Sequence, residues 1–211
     1  MDEVIKDAKN RKKTGHITFF DLEDAFGSAP HSLIDHTLER NFIPPVIRKY
    51  FHSIYKHSTA VVETNSWRSD PFKFKRGVFQ GDPISPVIFL LVFNPILQQL
   101  QNVSHTGYKV GDVSVVTLPY ADDFCLISTH QSTHQKLIDS IHTQVSSLGM
   151  KLKPSKCRSF SLCSGRPKVV PFHIGGSPVA SIRDEEQQIF GKVIFFTGSQ
   201  NRPFLIFVTL F

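Results

Sequence analysis

Two apolar runs flank the segment Tyr120-Ala121-Asp122-Asp123, namely Val113–Leu118 before it and Phe124–Ile127 after it. Two apolar runs joined by so short a polar segment predict a β-hairpin with the acids at its tip. Adjacent carboxylates in a folded protein cost free energy unless a cation offsets their charge. Mg²⁺ suits this task, because it prefers carboxylate oxygens and keeps part of its water shell for substrate phosphates. The hairpin therefore predicts half of a metal site for phosphoryl transfer.

The other half of such a site should be a third carboxylate at the end of another apolar strand. Asp21 meets this condition, since it closes the run Ile17-Thr18-Phe19-Phe20. A strand over His16–Leu22 is predicted to be almost completely buried, because nearly all of its residues are apolar. The sequence thus predicts two strands that bring Asp21 close to the hairpin tip.

The overall composition is that of an ordinary globular protein. The chain has 211 residues, of which 40% are hydrophobic and 20% charged, so one domain with a sizeable core is expected. Its formal net charge of +6 favours a polyanionic partner without specifying which one. The run Arg11-Lys12-Lys13 has the composition of a nuclear signal, yet three charges before a strand are more often a solvated edge.

The cysteines and the apolar runs exclude several classes of protein. Cys125, Cys157 and Cys163 show no CxxC spacing, which argues against a disulfide framework and against a zinc site. This pattern fits a reducing, intracellular compartment, without distinguishing nucleus from cytoplasm. The longest apolar run, Val87–Phe93, is far too short to cross a bilayer, so no membrane partner is expected.

Three histidines lie on one predicted helix, namely His130, His134 and His142. No cysteine or acidic cluster accompanies them, so they are interpreted as surface residues and not as metal ligands. The helix itself is amphipathic and is predicted to end at Gly149, a residue typical of helix C-termini.

Strands and helices interleave along the chain. Helices are predicted to begin near Pro30, with Ser28 or Ser32 as the cap, and at Pro45, and a buried helix is predicted over residues 85–100. Further strands are predicted at Thr59–Thr64, Phe72–Lys75, Ser159–Leu162, Val169–Ile174 and Val193–Phe196. Because hairpins join several strands, the predicted fold class is α+β with a mainly antiparallel sheet.

Four segments in a fixed order carry a family resemblance. They are Phe20-Asp21-Leu22-Glu23-Asp24-Ala25-Phe26, Arg76-Gly77-Val78-Phe79-Gln80-Gly81-Asp82-Pro83-Ile84-Ser85-Pro86, Tyr120-Ala121-Asp122-Asp123 and Leu148-Gly149-Met150-Lys151-Leu152-Lys153-Pro154-Ser155-Lys156. Their order and spacing resemble the palm of reverse transcriptases, particularly those of non-LTR (LINE-type) retrotransposons and, more distantly, of group II introns. The resemblance covers roughly residues 15 to 196. It implies an antiparallel palm sheet backed by helices, with the fingers and thumb subdomains largely missing.

The resemblance implies a set of metal ligands and a reaction. Asp21, Asp122 and Asp123 match the metal-binding carboxylates of the family, and the backbone carbonyl of Leu22 would be a further ligand. In-line attack by a primer 3′-hydroxyl requires two Mg²⁺ ions about 3.5–4 Å apart, for which Mn²⁺ is a possible substitute. The alternative for Asp21 is a strand-terminal acid that caps the next turn.

The resemblance also implies contacts to the incoming nucleotide and the primer. Phe26 matches the steric gate, an aromatic ring that clashes with a ribose 2′-hydroxyl and so selects dNTPs. An ordinary core position is the alternative for Phe26. Tyr120 would lie beside the primer end. Many relatives carry a basic residue where Glu23 stands, so Glu23 either weakens triphosphate binding or points to solvent.

The second segment resembles the loop that borders the nascent base pair. Gln80 would contact the incoming nucleotide and the template base, and Gly81 would let the backbone approach the ligand closely. Asp82 is interpreted as a cap or first-turn acid of the following helix, and not as catalytic. Lys75 and Arg76 either contact backbone phosphates or form a solvated strand edge.

Two further residues are assigned by resemblance alone. Lys156 matches the lysine that protonates the departing pyrophosphate. Lys153 is a second candidate for this role. The alternative is that Lys156 is an ordinary surface lysine. Gly191, within Ile189–Ile194, matches the hairpin near the primer.

The resemblance suggests a palm cut from a larger polyprotein, with three parts. Residues 1–14 would be a remnant of fingers or linker, residues 15–197 the palm domain, and residues 198–211 an unassigned apolar tail. Its partners would be an RNA template, a DNA primer, dNTPs and the missing fingers and thumb. Apolar faces that once met those parts are expected to be exposed.

Two functions remain open for the chain. It is either a competent RNA-directed DNA polymerase, or a catalytically silent retrotransposon-derived remnant that keeps the fold and binds nucleic acid weakly. Whether the chain is an enzyme in isolation is therefore left undecided. An RNA-dependent RNA polymerase is disfavoured by Phe26 and by the tyrosine and alanine that precede Asp122.

Overall fold

The computed structural model describes residues 1–79, 81–120 and 123–182, together with the backbone of three short strands nearer the C-terminus. Its helices are α1 (Asp2–Asn10), α2 (Ala25–Ser28), α3 (His31–Arg40), α4 (Pro45–His57), α5 (Ser85–Asn102) and α6 (Gln131–Ser147). Its strands are β1 (Gly15–Phe20), β2 (Thr59–Ala60), β3 (Phe72–Lys73), β4 (Tyr108–Val110), β5 (Val113–Val115), β6 (Thr117–Tyr120), β7 (Asp123–Ser128), β8 (Arg158–Cys163), β9 (Arg166–Pro167), β10 (Phe172–Ile174), β11 (Ser177–Ser181), β12 (Gln187–Ile189), β13 (Lys192–Ile194) and β14 (Ile206–Phe207).

The main sheet has the strand order β10-β11-β8-β1-β7-β6, and β9 pairs with the end of β8. The first strand, β1, lies at its centre and is antiparallel to β7 on one edge and to β8 on the other. β8 and β11 form the parallel pair in this sheet. Helices accompany the sheet, so the prediction of an α+β fold with a mainly antiparallel sheet is confirmed.

The chain divides into two compact units. Unit 1 comprises residues 1–23, 96–145 and 151–211 and contains the main sheet. Unit 2 comprises residues 24–95 and 146–150.

The core of unit 1 combines α1 and the main sheet. Val4, Ile5 and Ala8 form the buried face of α1, and the same apolar cluster contains Ile17 of β1 and Ile127 of β7. The predicted amphipathic helix is α6, whose buried residues recur at helical spacing: Leu137, Ile138, Ile141 and Val145. Gly149 follows with a φ of +74°, in the left-handed conformation that ends helices.

Unit 2 is built from helices and a short ribbon. Helices α3 and α4 follow each other closely, and β2 pairs with β3 as a separate two-stranded ribbon. Many large apolar side chains of this unit are exposed, among them Phe42, Val46, Ile47, Tyr50, Trp67, Phe72 and Phe74. This exposure agrees with the expectation of apolar faces that have lost a neighbour.

Several local predictions differ from the structure. Pro30 is the N-cap of α3, and neither Ser28 nor Ser32 caps it; Ser28 donates a hydrogen bond to the Ala25 carbonyl instead. The strand predicted at Thr59–Thr64 is only two residues long, because two residue pairs form the entire ladder with β3. A pairing this short cannot hold the remaining β-branched residues in a strand.

Two other predicted strands are shorter in the structure. Phe72–Lys75 is reduced to Phe72–Lys73, and Val169–Ile174 to Phe172–Ile174. Of the strand predicted at residues 193–196, the structure describes Lys192–Ile194, and the remainder lies outside the described residues. Among the described residues, no helix is both long and apolar enough to cross a membrane.

His134 was interpreted as a surface residue, and this is wrong. Its side chain is fully buried, because it belongs to the inward stripe of α6. Both ring nitrogens have hydrogen-bond partners, Thr18 Oγ1 of β1 and Ser128 Oγ of β7, each at 2.8 Å. Burial lowers the pKa of His134 to about 3, so the imidazole is neutral in the folded protein. His130, by contrast, is exposed as expected.

This burial predicts acid destabilisation of unit 1. The folded pKa of His134 lies below the unfolded value of about 6.5, so its contribution is complete above pH 6.5 and is lost as the pH falls towards 3. Burial lowers the pKa of His16 as well, in the same direction. Between pH 7.5 and pH 5, we expect His134 to remove about 2 kcal/mol from the free energy of unfolding.

Urea denaturation at the two pH values measures this loss. In His134→Gln the loss between pH 7.5 and pH 5 should be smaller by about 2 kcal/mol, whatever the variant's stability at pH 7.5. His36→Gln, which removes an exposed histidine of unit 2, is the control and should lose as much stability as wild type between the two pH values. An unchanged pH dependence in His134→Gln would contradict a neutral, buried imidazole.

Candidate active site

Asp21 and Asp123 are brought together by the register of β1 and β7. Phe20 of β1 pairs directly with Phe124 of β7, and their rings stack with centroids 4.8 Å apart. Asp21 follows Phe20 and Asp123 precedes Phe124. Because the strands are antiparallel, the two acids stand side by side at the same end of neighbouring strands. The hairpin closes there, since Tyr120 of β6 pairs with Asp123.

The segment before β8 fixes the end of β1 from the other side. The Asp21 carbonyl accepts a hydrogen bond from the Lys153 amide at 2.9 Å, and the Glu23 amide donates to the Lys151 carbonyl at 2.8 Å. Leu22 and Leu152 lie opposite each other between these bonds. In an antiparallel bridge of this kind, the carbonyl of the central residue points away from the partner segment. The Leu22 carbonyl is therefore directed to the side of β1 on which β7 lies.

The Asp21 side chain is largely buried, with 21% of its surface exposed, and it lies beside a lysine. Lys156 Nζ is 4.0 Å from Asp21 Oδ2, while the Lys156 side chain is 60% exposed. Of the two candidate lysines, Lys156 is the one whose ammonium lies beside Asp21. The Asp21 amide contacts Cys157 Sγ at 3.4 Å, and burial raises the pKa of that thiol to about 11, so the sulfur adds no negative charge.

Part of the predicted site lies outside the described residues, namely Gln80, Asp122, Gly191 and the side chain of Tyr120. In the described part of the chain, no three histidine, cysteine, aspartate or glutamate side chains form a metal-binding cluster. The described pair is Asp21 and Asp123. Two carboxylates at adjacent strand ends are hard oxygen donors, a set that suits Mg²⁺ or Mn²⁺ better than zinc.

In unit 2, the segment that carries Phe26 is bound to the loop before Gly81. The Val78 amide donates to the Phe26 carbonyl, and the Gly77 amide to the Ala29 carbonyl, each at 2.7 Å. The approach is so close that a Cβ on Gly77 would lie 2.7 Å from the Gly27 Cα. Gly77 also has a φ of +88°, so only glycine fits this position without strain.

The Phe26 ring is only partly buried. It packs against Phe89 of α5 with ring centroids 5.0 Å apart, and part of its surface is exposed. The ring is therefore held in place by core packing while one part of it faces solvent. This placement is compatible with a gate and with the alternative of a core residue.

The backbone around Gly81 leaves room for a ligand. Gly81 has a φ of +92°, and a Cβ there would meet no atom within 4 Å among the described residues. Asp82 Oδ1 accepts a hydrogen bond from the Ile84 amide, and its carbonyl accepts one from Ser85 at the start of α5. Asp82 thus caps a turn that precedes α5, which begins only at Ser85, so the prediction that Asp82 is a cap or first-turn acid of the helix itself is wrong.

Arg76 has a structural partner. Its Nη1 donates a hydrogen bond to the Gly149 carbonyl at 3.1 Å, which ties the loop before Gly81 to the end of α6. Lys75 is exposed and lines a cavity of about 750 Å³ with Lys73 and Phe74. The side chain of Glu23, in unit 1, is exposed, in agreement with its solvent-facing alternative.

A family model described as "Reverse transcriptase (RNA-dependent DNA polymerase)" matches residues 1–204. The chain belongs to the reverse transcriptase family. The match includes the segments around Asp21, Gly81, Asp123 and Lys156. The predicted resemblance is thereby confirmed.

The most similar relatives that we compared are retrotransposon polyproteins. The chain is 30% identical over 206 residues to the Pol polyprotein of the type-2 retrotransposable element R2DM of Drosophila melanogaster, covering 94% of this chain and 19% of the relative. It is 27% identical over 202 residues to the corresponding protein of the type-1 element R2 of Nasonia vitripennis, covering 92% of this chain and 20% of the relative. The chain is thus a reverse transcriptase domain of the non-LTR type that spans about a fifth of these relatives.

Solved structures confirm the fold. Apo telomerase from Candida tropicalis superposes with a TM-score of 0.57 at 16% identity, over 75% of this chain and 30% of that one. A telomerase from Candida albicans in complex with a fragment of telomeric RNA has a TM-score of 0.53 at 14% identity, over 83% of this chain and 31% of that one. At this identity the likeness shows a shared reverse transcriptase fold.

Sequence reasoning missed how this reverse transcriptase domain fixes Asp21. Leu22 pairs with Leu152 across 130 positions of the sequence, and no local pattern reveals such a contact. The alternation of apolar and basic residues in Met150-Lys151-Leu152-Lys153 was a sequence signal that could have suggested a short extended segment. The anchoring of Arg76 by Gly149 had no such signal.

Proposed function

We propose that this domain is an RNA-directed DNA polymerase that extends a DNA primer on an RNA template. The reaction joins the primer 3′-oxygen to the α-phosphorus of a dNTP, breaks the bond to the β-phosphate oxygen and releases pyrophosphate. The observation that supports the proposal most directly is the placement of Asp21 beside Asp123 at the ends of β1 and β7. Membership in the reverse transcriptase family supports the choice of template and product.

The strand ends would hold two divalent cations, Mg²⁺ or, as a substitute, Mn²⁺. Asp21, Asp122 and Asp123 would supply carboxylate oxygens, and Leu22 would supply its carbonyl, which points to the β7 side of β1. When bound, the cations would lower the pKa of the attacking hydroxyl and offset the charge of the transferred phosphate. The burial of Asp21 supports this assignment, because a nearby cation stabilises the negative charge of a largely buried carboxylate, and all the more so when another acid lies beside it.

Lys156 would act as the general acid. Its ammonium carries the proton at Nζ, which it would give to the departing pyrophosphate oxygen. The long distance of 4.0 Å to Asp21 and the 60% exposure of the side chain leave Lys156 able to turn towards a bound triphosphate. A general acid in such a position contributes about 10²–10⁴-fold to the rate.

Four residues would contact the substrates. Phe26 would exclude a ribose 2′-hydroxyl, Gln80 would border the nascent base pair, and Gly81 would admit the nucleotide against its backbone. Tyr120 would lie beside the primer end. The left-handed, uncrowded backbone of Gly81 supports its part of this assignment. Further segments of a parent polyprotein would supply the fingers and thumb.

A catalytically silent remnant is the second candidate. It is favoured by the exposed apolar side chains of unit 2, where Phe42 is 93% and Val46 71% exposed. Surfaces of this kind usually contact another protein segment. If those segments are essential for gripping template and primer, the isolated chain keeps the fold and lacks activity.

Primer extension distinguishes the two candidates. On an RNA template with Mg²⁺ and dNTPs, the wild-type chain should extend the primer, and Asp21→Asn and Asp122→Asn should reduce extension to background because a cation loses a carboxylate ligand. Asp112→Asn, an exposed acid between β4 and β5, is the matched control and should retain activity. A folded wild-type chain without extension would support the silent remnant. Full extension by Asp21→Asn would contradict the proposed site.

The proposed role of Phe26 as a steric gate predicts an effect on the selection between rNTPs and dNTPs. Phe26→Val should raise the incorporation of rNTPs relative to dNTPs by about 10- to 100-fold, since the clash with the 2′-hydroxyl is relieved. The ratio of kcat/KM values for a matched rNTP and dNTP measures this effect. Phe74→Val is the control, because Phe74 is an exposed aromatic residue of the same unit. An unchanged ratio in Phe26→Val would assign Phe26 to the core alone.

A further inference from the structure

The fold brings together two basic segments that are far apart in the sequence. The Gly165 amide donates a hydrogen bond to the Lys13 carbonyl at 2.9 Å, and the Ser164 amide contacts Thr14 Oγ1 at 3.3 Å. A Cβ on Gly165 would lie only 3.0 Å from the Lys9 carbonyl oxygen. The turn between β8 and β9 therefore lies directly on the segment between α1 and β1. This contact creates a basic patch, defined here as Arg11, Lys12, Lys13, Arg166 and Lys168.

The charges of the basic patch are poorly compensated. Asp7 accepts a hydrogen bond from Lys13 Nζ at 2.8 Å and forms an ion pair with Arg11, whose Nε lies 2.9 Å from Asp7 Oδ1, so one carboxylate partners two cations of the patch. The Asp7 side chain is only 10% exposed, and its Oδ2 also accepts a hydrogen bond from Tyr108 Oη. The other three basic residues are exposed. Such an excess of positive charge on one surface attracts polyanions.

The backbone at Lys12 is unfavourable for folding. Lys12 has a φ of +52°, in the left-handed region where α1 ends. Glycine and asparagine are the usual residues at such a position, because a Cβ is strained there. A lysine at this position therefore costs stability that a glycine would not cost.

A cleft of about 550 Å³ adjoins the basic patch. Lys13 and Lys168 line it together with His130 and Gln131. Gln131 is the first residue of α6, a helix of 17 residues, so the partial positive charge of a helix N-terminus adds to the two ammonium groups. Phosphate groups are the ligands that such a combination favours.

We propose that the basic patch and its cleft bind the phosphodiester backbone of a nucleic acid strand. The patch lies at the start of β1, and Asp21 follows the end of the same strand. The six residues of β1 separate the patch from Asp21 by roughly 20 Å. The patch is thus a binding surface separate from the carboxylates of the active site. A concave cleft suits a strand of phosphates better than a flat membrane surface. Contacts of this kind carry no base specificity.

The test is RNA binding without catalysis. Fluorescence anisotropy of a 20-nucleotide single-stranded RNA is measured in EDTA, without dNTPs, with the full chain in the Asp21→Asn background. Arg166→Gln/Lys168→Gln should raise Kd roughly tenfold and reduce the slope of log Kd against log salt by about 1.4, which corresponds to two phosphate contacts. Lys49→Gln/Lys56→Gln removes two exposed lysines of α4, in the other unit, and should leave both values unchanged. This binding measurement does not depend on polymerisation, so it tests the basic patch even if the chain does not extend a primer.

Lys12→Gly separates binding from folding. It should raise the melting temperature, because glycine adopts the left-handed backbone without strain, and it should weaken RNA binding roughly threefold while the salt slope falls by about 0.7. Opposite signs of the two effects cannot arise from misfolding. Unchanged RNA affinity in both patch variants would overturn the proposal. So would patch-dependent binding to phosphatidylserine vesicles in a chain that does not bind the RNA.

Discussion

The antiparallel pairing of β1 with β7 on one edge and with β8 on the other is the constraint on which the site depends. It places Asp21 beside Asp123 and beside the segment that carries Lys156. A slip of one residue in either ladder would turn Asp21 to the opposite face of the sheet. The stacked rings of Phe20 and Phe124 lie one residue from the two acids, so the packing of the core sets the separation of the carboxylates.

Polar side chains inside unit 1 help to specify this register. Thr18 of β1 is hydrogen-bonded to His134, and His16 of β1 to Ser161 of β8 at 2.9 Å. A shifted β1 would leave these buried groups without partners, which costs far more than the bonds contribute when they are made. Such a satisfied network favours one pairing over its neighbours more than it adds net stability. The same neutral histidines make the sheet sensitive to acid.

The strands that carry the acids could be predicted because the signals are local. Apolar runs that end in aspartate predicted β1 and the β6–β7 hairpin, and the order of four motifs predicted the family. The burial of His134 was missed although it lies one helical turn before Leu137 and Ile138, because its polarity was weighted above its spacing. The contact between Leu22 and Leu152 joins distant parts of the chain, so no sequence window contains it.

We propose that the ends of β1 and β7 form a site for divalent cations. Titration of Mn²⁺ into the folded chain, followed by electron paramagnetic resonance, measures this directly and does not require a template or a primer. We expect saturable Mn²⁺ binding that Mg²⁺ displaces. Asp112→Asn should preserve this binding, and Asp21→Asn and Asp123→Asn should each weaken it. Mn²⁺ binding of equal strength in wild type and in both carboxylate variants, with each protein folded, would contradict the proposed site.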